Sequence, residues 1–334
     1  MRRVTAAVLA SVLLAGGGAC AQTKTGTTIG QFLAIEPSAR HAGMGNAGVG
    51  AIGGIESVWF NPGIVGTLDG AAVTFTHIDW FADVNFDYAA AALAIGGFGN
   101  LCLAVTALNS GDIDVRTVDE PLGTGERYDV ANTALSLGYG RLITSRFAAG
   151  LQLNYVHERI WHSSYGTMTA SAGTVYRLNE SGMRLGFSLS NLGTRAGFSG
   201  RDLAIQYDAD SDEYGDNSAL PAEQLTDEFP VPLVFRLGLS VPYRFSDDSE
   251  LLLLADALHP NDNDEALNLG AEWTVQRIFA LRAGYQSLFQ PDSELGLTLG
   301  FGLRLNRDRL RFSYGWADHD LLGATHRMTL AVGL

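Results

Sequence analysis

The chain has few cysteines, almost no lysine and few charged residues for its length. Its 334 residues include 2 cysteines, and charged residues make up 17%. The only lysine is Lys24, which excludes a P-loop, because that motif needs a lysine after its glycines. Acidic residues outnumber basic residues 36 to 22. This balance argues against a nucleic-acid partner, which would require clustered positive charge.

Long hydrophobic runs are also missing. Beyond the N-terminal region, no stretch reaches the roughly 20 apolar residues that a membrane-spanning helix needs. Only helices and closed barrels satisfy all their backbone polar groups within lipid. If the protein resides in a membrane, we therefore expect a β-barrel.

The first 21 residues have the pattern of an export signal. Two arginines precede an apolar run over residues 4–15, and small residues lead to a cleavage site after Ala21. This run is too short for a transmembrane helix. Lipidation of Cys20 is an alternative. After cleavage, Cys102 would be the single cysteine, so no intramolecular disulfide is expected.

From about residue 71 onward, apolar and polar residues alternate. In ELGLTLGFGLRL, residues 294–305, every second residue is leucine or phenylalanine. A strict period of two predicts β-strands. Most of the predicted strands have about ten residues, enough for a tilted strand to cross a bilayer. The pattern marks 14 strands, at 71–80, 84–95, 100–109, 128–140, 146–159, 164–177, 182–191, 231–243, 249–258, 266–275, 279–288, 294–305, 309–317 and 325–333.

The lengths of the connections support a membrane barrel. The long connections, 110–127 and 192–230, follow the third and seventh strands, whereas connections after even-numbered strands are tight. Bacterial outer-membrane barrels have short periplasmic turns and longer outer loops. The sequence therefore predicts a 14-stranded antiparallel transmembrane β-barrel over residues 71–334, in the outer membrane of a Gram-negative-type bacterium. A soluble two-sheet sandwich is the alternative.

The two faces of the predicted strands differ in chemistry. The apolar face is aliphatic, with aromatic residues near strand ends as interfacial girdles require: Trp80, Tyr155, Trp161, Trp273, Tyr285 and Trp316. The other face carries small polar residues and isolated charges, which suits a polar lumen. The candidate lumen residues are Arg236, Asn268, Glu272, Arg282 and Arg304.

Residues 22–70 are predicted to fill the lumen as a plug. A barrel of 14 strands leaves a channel unless something occupies it, and this segment is rich in glycine, which permits close backbone packing. Within it, AGMGNAGVG (42–50) has the G-x-G-x-x-G spacing of a dinucleotide-binding loop. That fingerprint requires a preceding buried strand and an acidic residue about 20 positions later. The motif follows EPSARH instead of a buried strand, and no acidic residue stands near the required offset at a strand end, so we interpret these glycines as packing residues.

The same segment carries a group of short motifs: Phe32-Leu33, Pro37-Ser38-Ala39-Arg40, Ala42-Gly43-Met44-Gly45, Ala47-Gly48-Val49 and Asn61-Pro62. These motifs resemble the opening of the PorV/PorQ family of outer-membrane barrels, relatives of the FadL fatty-acid channels. The resemblance implies a 14-stranded barrel with an N-terminal hatch. The hatch residues would be Pro37, Ser38, Arg40, Gly43, Gly45, Gly48, Asn61 and Pro62. The family's usual Asn-Pro-Ala reads Asn-Pro-Gly here.

The resemblance implies a non-catalytic protein without a cofactor. The best-known members of the family serve type IX secretion, so the expected partners are outer-membrane lipid, secreted proteins with C-terminal signal domains and other secretion components. FadL relatives instead move hydrophobic small molecules through the lumen and out through a gap in the wall, which is the first alternative. A structural or adhesion barrel is the second.

Two further motifs suggest metal sites but fit them poorly. HERIWH (157–162) has one residue too many for the zinc motif H-E-x-x-H, and its histidines would point oppositely on a strand. DADSDEYGDN (208–217) alternates carboxylates like a calcium loop but has Glu213 where an EF-hand needs glycine. This leaves a weak calcium candidate at Asp208, Asp210 and Asp212.

Overall fold

The chain folds into a closed all-β barrel of 14 antiparallel strands. The structure, a computed structural model, describes residues 25–51, 53–208, 219–290, 293–306 and 308–334. Each strand pairs with its neighbours in the chain, and β14 pairs with β1, so the wall has no open edge. The barrel strands are β1 Ala71–Asp79, β2 Asn85–Ala94, β3 Asn100–Asn109, β4 Val130–Thr144, β5 Phe147–Ile160, β6 Ser163–Arg177, β7 Arg184–Gly193, β8 Val234–Ser246, β9 Ser249–Pro260, β10 Ala266–Val275, β11 Phe279–Leu288, β12 Leu297–Leu305, β13 Leu310–Asp318 and β14 Ala324–Gly333.

Helices in the described residues are short. The α-helix is a single turn, Ala39–Ala42, and the 3₁₀ helices are Gln31–Ala34, Ile55–Ser57, Pro62–Thr67, Phe81–Asp83, Gly96–Phe98, Arg201–Leu203 and Asp320–Leu322. The long connections contain small strands: Ile113–Asp114 pairs with Arg127–Tyr128, Ala204–Tyr207 pairs with Leu220–Glu223, and Ser199–Gly200 pairs with the start of β6. Among these described residues, no helix has the length and hydropathy needed to cross a membrane.

The strand count and the fold class confirm the sequence-based prediction, while several strand bounds differ. The strand predicted at 128–140 continues to Thr144, because Arg141 and Leu142 still pair with β5 although their side chains no longer alternate in polarity. The strand predicted at 294–305 begins at Leu297. Backbone pairing, which side-chain pattern does not report, decides where each strand ends.

The connections sort by length as predicted. The long ones, 110–129 and 194–233, follow β3 and β7 and lie at one end of the barrel, here called the long-loop end. The turns after even-numbered strands lie at the opposite, short-turn end. The shortest are 145–146, between β4 and β5, and 247–248, between β8 and β9. By the pattern of outer-membrane barrels, the short-turn end is the periplasmic one.

Outward-facing side chains are large and apolar, as lipid contact requires. In β12, Leu297 and Leu299 are exposed, whereas Thr298 between them is fully buried. Of the predicted girdle aromatics, Trp273 faces outward and is 47% exposed. Trp80 instead packs inside the barrel, where the Arg327 guanidinium lies 5.6 Å from its ring. Trp80 follows the last residue of β1, where alternation no longer sets side-chain direction.

The N-terminal segment, defined here as residues 25–70, lies against the inner face of the wall. Its apolar side chains pack against inward residues of β1, β2 and β3. This cluster is the main hydrophobic core of the molecule, and it includes Phe32, Leu33, Ile55, Val58 and Ile64 from the segment and Ile78, Phe86, Tyr88 and Ala104 from the wall. The position of the segment matches the place predicted for a plug, and its action as a plug is taken up below.

Candidate functional site inside the barrel

Opposite the apolar core, the N-terminal segment meets the wall backbone to backbone. A Cβ on Gly315 would lie 2.6 Å from the carbonyl oxygen of Ala39, closer than real Cβ atoms approach. The same kind of close contact occurs at one glycine in each of the strands β4–β8 and β10–β13. A Cβ would come within 3.1 Å of the segment at the following positions, called the wall glycines: Gly140, Gly150, Gly173, Gly186, Gly238, Gly270, Gly284, Gly300 and Gly315.

The glycines of the segment make the matching contacts. Gly45 has a φ of +64°, and a Cβ there would lie 2.7 Å from the carbonyl oxygen of Tyr285. Its amide donates a hydrogen bond of 2.8 Å to Thr298 Oγ1. A Cβ on Gly43 would lie 2.9 Å from the Cα of Gly300. The G-x-G-x-x-G spacing therefore serves close packing against β11 and β12.

The third glycine of the motif takes part in an anion-binding turn. The amides of Gly48 and Val49 donate hydrogen bonds of 2.6 and 2.9 Å to Asp256 Oδ2 on β9. Asp256 is 1% exposed. Successive backbone amides of this kind bind phosphate in nucleotide sites, and here they bind a carboxylate of the wall.

Ser38 and Pro37 shape the single helical turn of the segment. Pro37 is buried directly before it. The Ser38 side chain caps the helix by accepting a hydrogen bond from the amide of His41 at 3.4 Å. The next residue after Ala39 is Arg40, so this turn fixes the direction in which Arg40 leaves the segment.

Asn61 and Pro62 join the segment to β6. Asn61 caps the 3₁₀ helix Pro62–Thr67 by accepting a hydrogen bond of 2.9 Å from the amide of Gly63. Its Nδ2 donates to the carbonyl oxygens of Val49 at 2.8 Å and Thr174 at 3.0 Å. Pro62 takes the first helical position, where no amide donor is needed. The Asn-Pro pair thus ties two parts of the segment to the wall.

A buried ion cluster holds the segment near the short-turn end. Glu272 on β10 is 2% exposed and accepts hydrogen bonds from three arginines. Arg40 of the segment donates two of them, at 3.0 and 2.8 Å, Arg282 donates one at 2.7 Å, and Arg304 donates one at 2.8 Å. A buried charge is stable only when it is paired in this manner. We name Glu272 and these three arginines the Glu272 cluster.

A second carboxylate extends the Glu272 cluster. Glu56 of the segment lies 3.9 Å from Arg40 Nη1 and forms an ion pair of 3.0 Å with Arg311 of β13. Sequence pattern indicated polar lumen residues at Arg282, Arg304 and Glu272, and hatch residues including Arg40, and the structure brings the two groups together. The sequence pattern did not indicate that Glu56, Arg311, Asp256 or the wall glycines belong to the site. A glycine on the polar face of most strands was the signal that could have predicted the close contacts with the segment.

The remaining predicted lumen residues, Arg236 and Asn268, lie apart from the Glu272 cluster, toward the long-loop end. The Arg236 guanidinium lies 5.1 Å from the ring of Trp59 and 3.8 Å from Glu36 Oε1. Asn268 Oδ1 accepts a hydrogen bond of 2.9 Å from the amide of Ser287. Both residues border a cavity of about 420 Å³, called the outer cavity, between the segment and the outer ends of β8–β11.

A second concavity lies on the rim of the long-loop end. This apolar groove of about 670 Å³ is formed by both long connections and the end of β5. Its main apolar lining residues are Ile113, Val115, Tyr128, Ile160, Trp161 and Phe198.

The turn between β5 and β6 is tied to the connection after β7 beside this groove. His162 donates its amide proton to Asp202 Oδ2 at 3.0 Å, and its Nδ1 lies 2.8 Å from Asp202 Oδ1. Desolvation raises the pKa of Asp202, but the hydrogen bonds from His162 outweigh it and lower this pKa overall. The pair therefore fixes the two walls of the groove relative to each other.

The weak calcium candidate gains no support from the structure. Asp208 is half-buried, while Asp210 and Asp212 lie outside the described residues. Within the described part of the chain, no three His, Cys, Asp or Glu side chains are grouped closely enough to hold a metal ion.

Comparisons with known proteins identify the fold. No family model and no curated protein matches the chain. Among solved structures, the CymD monoaromatic hydrocarbon channel is similar with a TM-score of 0.54 and 12% identity, over 89% of this chain and 96% of that one. The Pseudomonas putida toluene transporter TodX gives a TM-score of 0.54 and 11% identity, over 89% and 96% of the two chains. A Pseudomonas aeruginosa FadL homologue gives 0.50 and 11%, over 92% and 99%.

The structural neighbours are FadL-family outer-membrane barrels. They show that this chain has a FadL-like barrel fold. The closed barrel with its apolar outer face supports the predicted outer-membrane location. Membership of the PorV/PorQ branch, which the motifs suggested, is not shown by these similarities.

Proposed function

We propose that this FadL-like barrel is a non-catalytic channel that admits hydrophobic small molecules through the outer membrane. The observation that carries the proposal is the apolar groove at the long-loop end. Most exposed apolar surface on this barrel lies on the lipid-facing wall, whereas the groove lies on the rim, where the loops meet water. Apolar concavities in such positions are typical of ligand-binding sites.

Trp161 is the central residue of the groove. It has a φ of +54°, which is unusual for a bulky side chain. Its ring stacks on His162 at a centroid distance of 4.8 Å, and His162 is in turn held by Asp202. A strained backbone supported by its surroundings is a common feature of ligand sites. This arrangement supports the groove as the first binding site for a hydrophobic molecule.

The N-terminal segment would then act as the plug of the channel. It packs against wall glycines on β4–β8 and β10–β13 and fills the space beside β1–β3 with apolar side chains. A molecule that enters from the long-loop end must pass this segment to reach the periplasm along the barrel axis. We propose that the segment closes the lumen at rest and shifts for passage.

The proposal replaces type IX secretion as the main hypothesis. The motifs of the segment resemble PorV/PorQ barrels, but the similar solved structures include a monoaromatic hydrocarbon channel and a toluene transporter. A FadL-like channel was the alternative from the sequence, and these neighbours support it better. Secreted protein partners and a structural barrel have no comparable support.

The test is whole-cell uptake of a radiolabelled monoaromatic hydrocarbon by a Gram-negative host that expresses the protein. We expect faster uptake than in the empty-vector host. Trp161→Ala should reduce uptake by about tenfold, since an aromatic ring that a bound ligand covers contributes about 1.5–3 kcal/mol to binding. Trp273→Ala is the matched control, because Trp273 faces lipid and is 47% exposed. Uptake equal to the vector control, or equal in both tryptophan variants, would overturn the proposal.

A further inference from the structure

The outer cavity joins the N-terminal segment to the outer part of the lumen. Gln31, Ala34 and Glu36 of the segment border it on one side. The opposite side is largely apolar, with Pro232, Val234, Leu258, Pro260 and Leu295. On β10 and β11, the cavity lies on the long-loop side of the close contacts at Gly270 and Gly284.

The charged residues that line the outer cavity are unbalanced. In the described part of the lining they are Glu36, Arg236, Asp262 and Asp264. The one cation, Arg236, lies 3.8 Å from Glu36, which offsets its charge. Two carboxylates therefore remain without a cation among the lining residues.

Asp262 is held in place by neutral groups. It is 8% exposed, and its Oδ2 accepts hydrogen bonds from Gln31 Nε2 at 2.8 Å and from Thr28 Oγ1. In the described part of the chain, no arginine lies within 4.0 Å of a carboxylate oxygen of Asp262 or Asp264. Among the described lining residues, the net charge of the cavity is therefore negative.

A neutral polar group lies deeper along the same cavity. Gln286 borders it and is 3% exposed, and its Oε1 has no hydrogen-bond partner in the described residues. A buried carboxamide without a partner is unfavourable unless another molecule supplies the hydrogen bond. This orphan group is an observation separate from the carboxylates, and it also points to a polar end on the ligand.

We propose that the outer cavity selects small amphiphiles whose polar end donates hydrogen bonds and is neutral or positively charged, and that it disfavours carboxylates. This inference rests on the proposed function and names the class of molecule. The apolar lining would hold the hydrocarbon part, Gln286 would accept a hydrogen bond from a hydroxyl or amine, and Asp262 with Asp264 would repel an anionic head. A ligand carboxylate would meet like charges at short range in a partly dry site, where repulsion is strong.

The test compares four molecules with one ring and one chain length: 2-phenylethylamine, 2-phenylethanol, ethylbenzene and phenylacetate. Binding to the purified full-length barrel is measured by calorimetry at pH 7. We expect the amine and the alcohol to bind at least about tenfold more tightly than phenylacetate. The double variant Asp262→Asn with Asp264→Asn should reduce the ratio of the affinity for 2-phenylethylamine to the affinity for phenylacetate by about tenfold.

Two further variants separate local from general effects. The control double variant Asp119→Asn with Glu120→Gln removes two charges from the exposed connection after β3, outside the cavity lining, and should leave the ratio unchanged. Gln286→Leu should remove the preference for 2-phenylethanol over ethylbenzene. Heat-modifiable migration on a gel confirms that each variant is folded.

The outcomes distinguish the two proposals. If ethylbenzene binds and uptake is normal, but phenylacetate binds as tightly as the amine, the inference about the outer cavity is overturned and the channel proposal stands. The same conclusion follows if the aspartate double variant leaves the ratio unchanged. If none of the four binds and expression does not increase hydrocarbon uptake, both proposals are overturned.

Discussion

The middle of the barrel and its long-loop end are built in opposite ways. In the middle, the N-terminal segment meets the wall at the wall glycines, and toward the short-turn end the Glu272 cluster joins Arg40 to the strands. At the long-loop end, the same interior opens into the outer cavity of about 420 Å³ and the rim groove of about 670 Å³. The wall-glycine contacts leave little free volume in the middle. A cavity of about 460 Å³ lies beside the Glu272 cluster toward the short-turn end, and the outer end has the two concavities described above.

This difference assigns separate tasks to the two regions. Backbone contacts at glycines leave no room for a ligand, and a buried carboxylate with three arginines is costly to break. Under the proposed function, the middle is therefore expected to govern stability and closure. The outer end has apolar surface and a tryptophan with a positive φ, so it is expected to govern ligand capture. Each variant below changes one region and should leave the task of the other region unaffected.

The largest effect is expected from Glu272→Gln. The substitution leaves Arg40, Arg282 and Arg304 around a neutral group, and breaking a buried ion pair costs about 3–5 kcal/mol. Unfolding in urea should show this loss of stability, and ion conductance in planar bilayers should rise as the segment loosens. Glu265→Gln is the control, since the Glu265 side chain is 72% exposed in an outer connection. Equal stability of the two variants would contradict the assigned role of the Glu272 cluster.

Gly45→Ala should have the next largest effect. The new Cβ would lie 2.7 Å from the carbonyl oxygen of Tyr285, and overpacking of this kind costs about 1–3 kcal/mol, in addition to about 1–2 kcal/mol for the positive φ. Gly111→Ala isolates the backbone component, because Gly111 has a φ of +65° and no atom within 4 Å of a Cβ. Urea unfolding should show a larger loss for Gly45→Ala. Equal losses would mean that the close approach to β11 is unimportant.

Trp161→Ala should affect capture without affecting closure. The groove lies outside the segment–wall contacts, so the free energy of unfolding should change by less than about 1 kcal/mol while hydrocarbon uptake falls. Bilayer conductance should stay at the wild-type level. A loss of stability as large as that of Glu272→Gln would show that the two regions are not separate.

The smallest effect is expected from Arg127→Gln. Arg127 forms exposed ion pairs with Asp112 at 3.6 Å and Asp114 at 3.2 Å in the connection that borders the groove. Exposed pairs contribute about 0–1 kcal/mol. Thermal unfolding should be unchanged, and hydrocarbon uptake should fall by no more than about twofold. A loss of uptake comparable to that of Trp161→Ala would show that this hairpin, rather than Trp161, shapes the groove.

Most of the wall could be predicted from the sequence because alternation is a local property. Leu297, Thr298 and Leu299 show it directly, since the leucines face lipid and the threonine faces the interior. The two long connections also fall where the strand numbering predicted. The prediction that Trp80 faces lipid as a girdle residue was wrong, because Trp80 lies one residue beyond β1, where alternation ends.

For the candidate site, the sequence predicted which kinds of residue face the lumen, but it did not predict which of them contact each other. Arg40 and Glu272 are separated by 232 positions, and no local pattern indicates that they pair. The carboxylate of Asp256 lies within a largely apolar run, but the partner amides of Gly48 and Val49 lie in a distant loop. The motifs around Pro37 and Asn61 predicted a hatch in this segment, which stays a prediction, and they could not indicate which ligand the barrel would take.

The central claim is that the N-terminal segment closes the lumen. The most direct test is the conductance of the purified barrel in planar bilayers before and after deletion of residues 31–66. Wild-type protein should conduct very little, and the deleted form, once heat-modifiable migration shows a folded barrel, should form a wide, stable pore. A folded deletion variant that conducts no more than the wild type would contradict the claim, as would wide-pore conductance by the wild type itself.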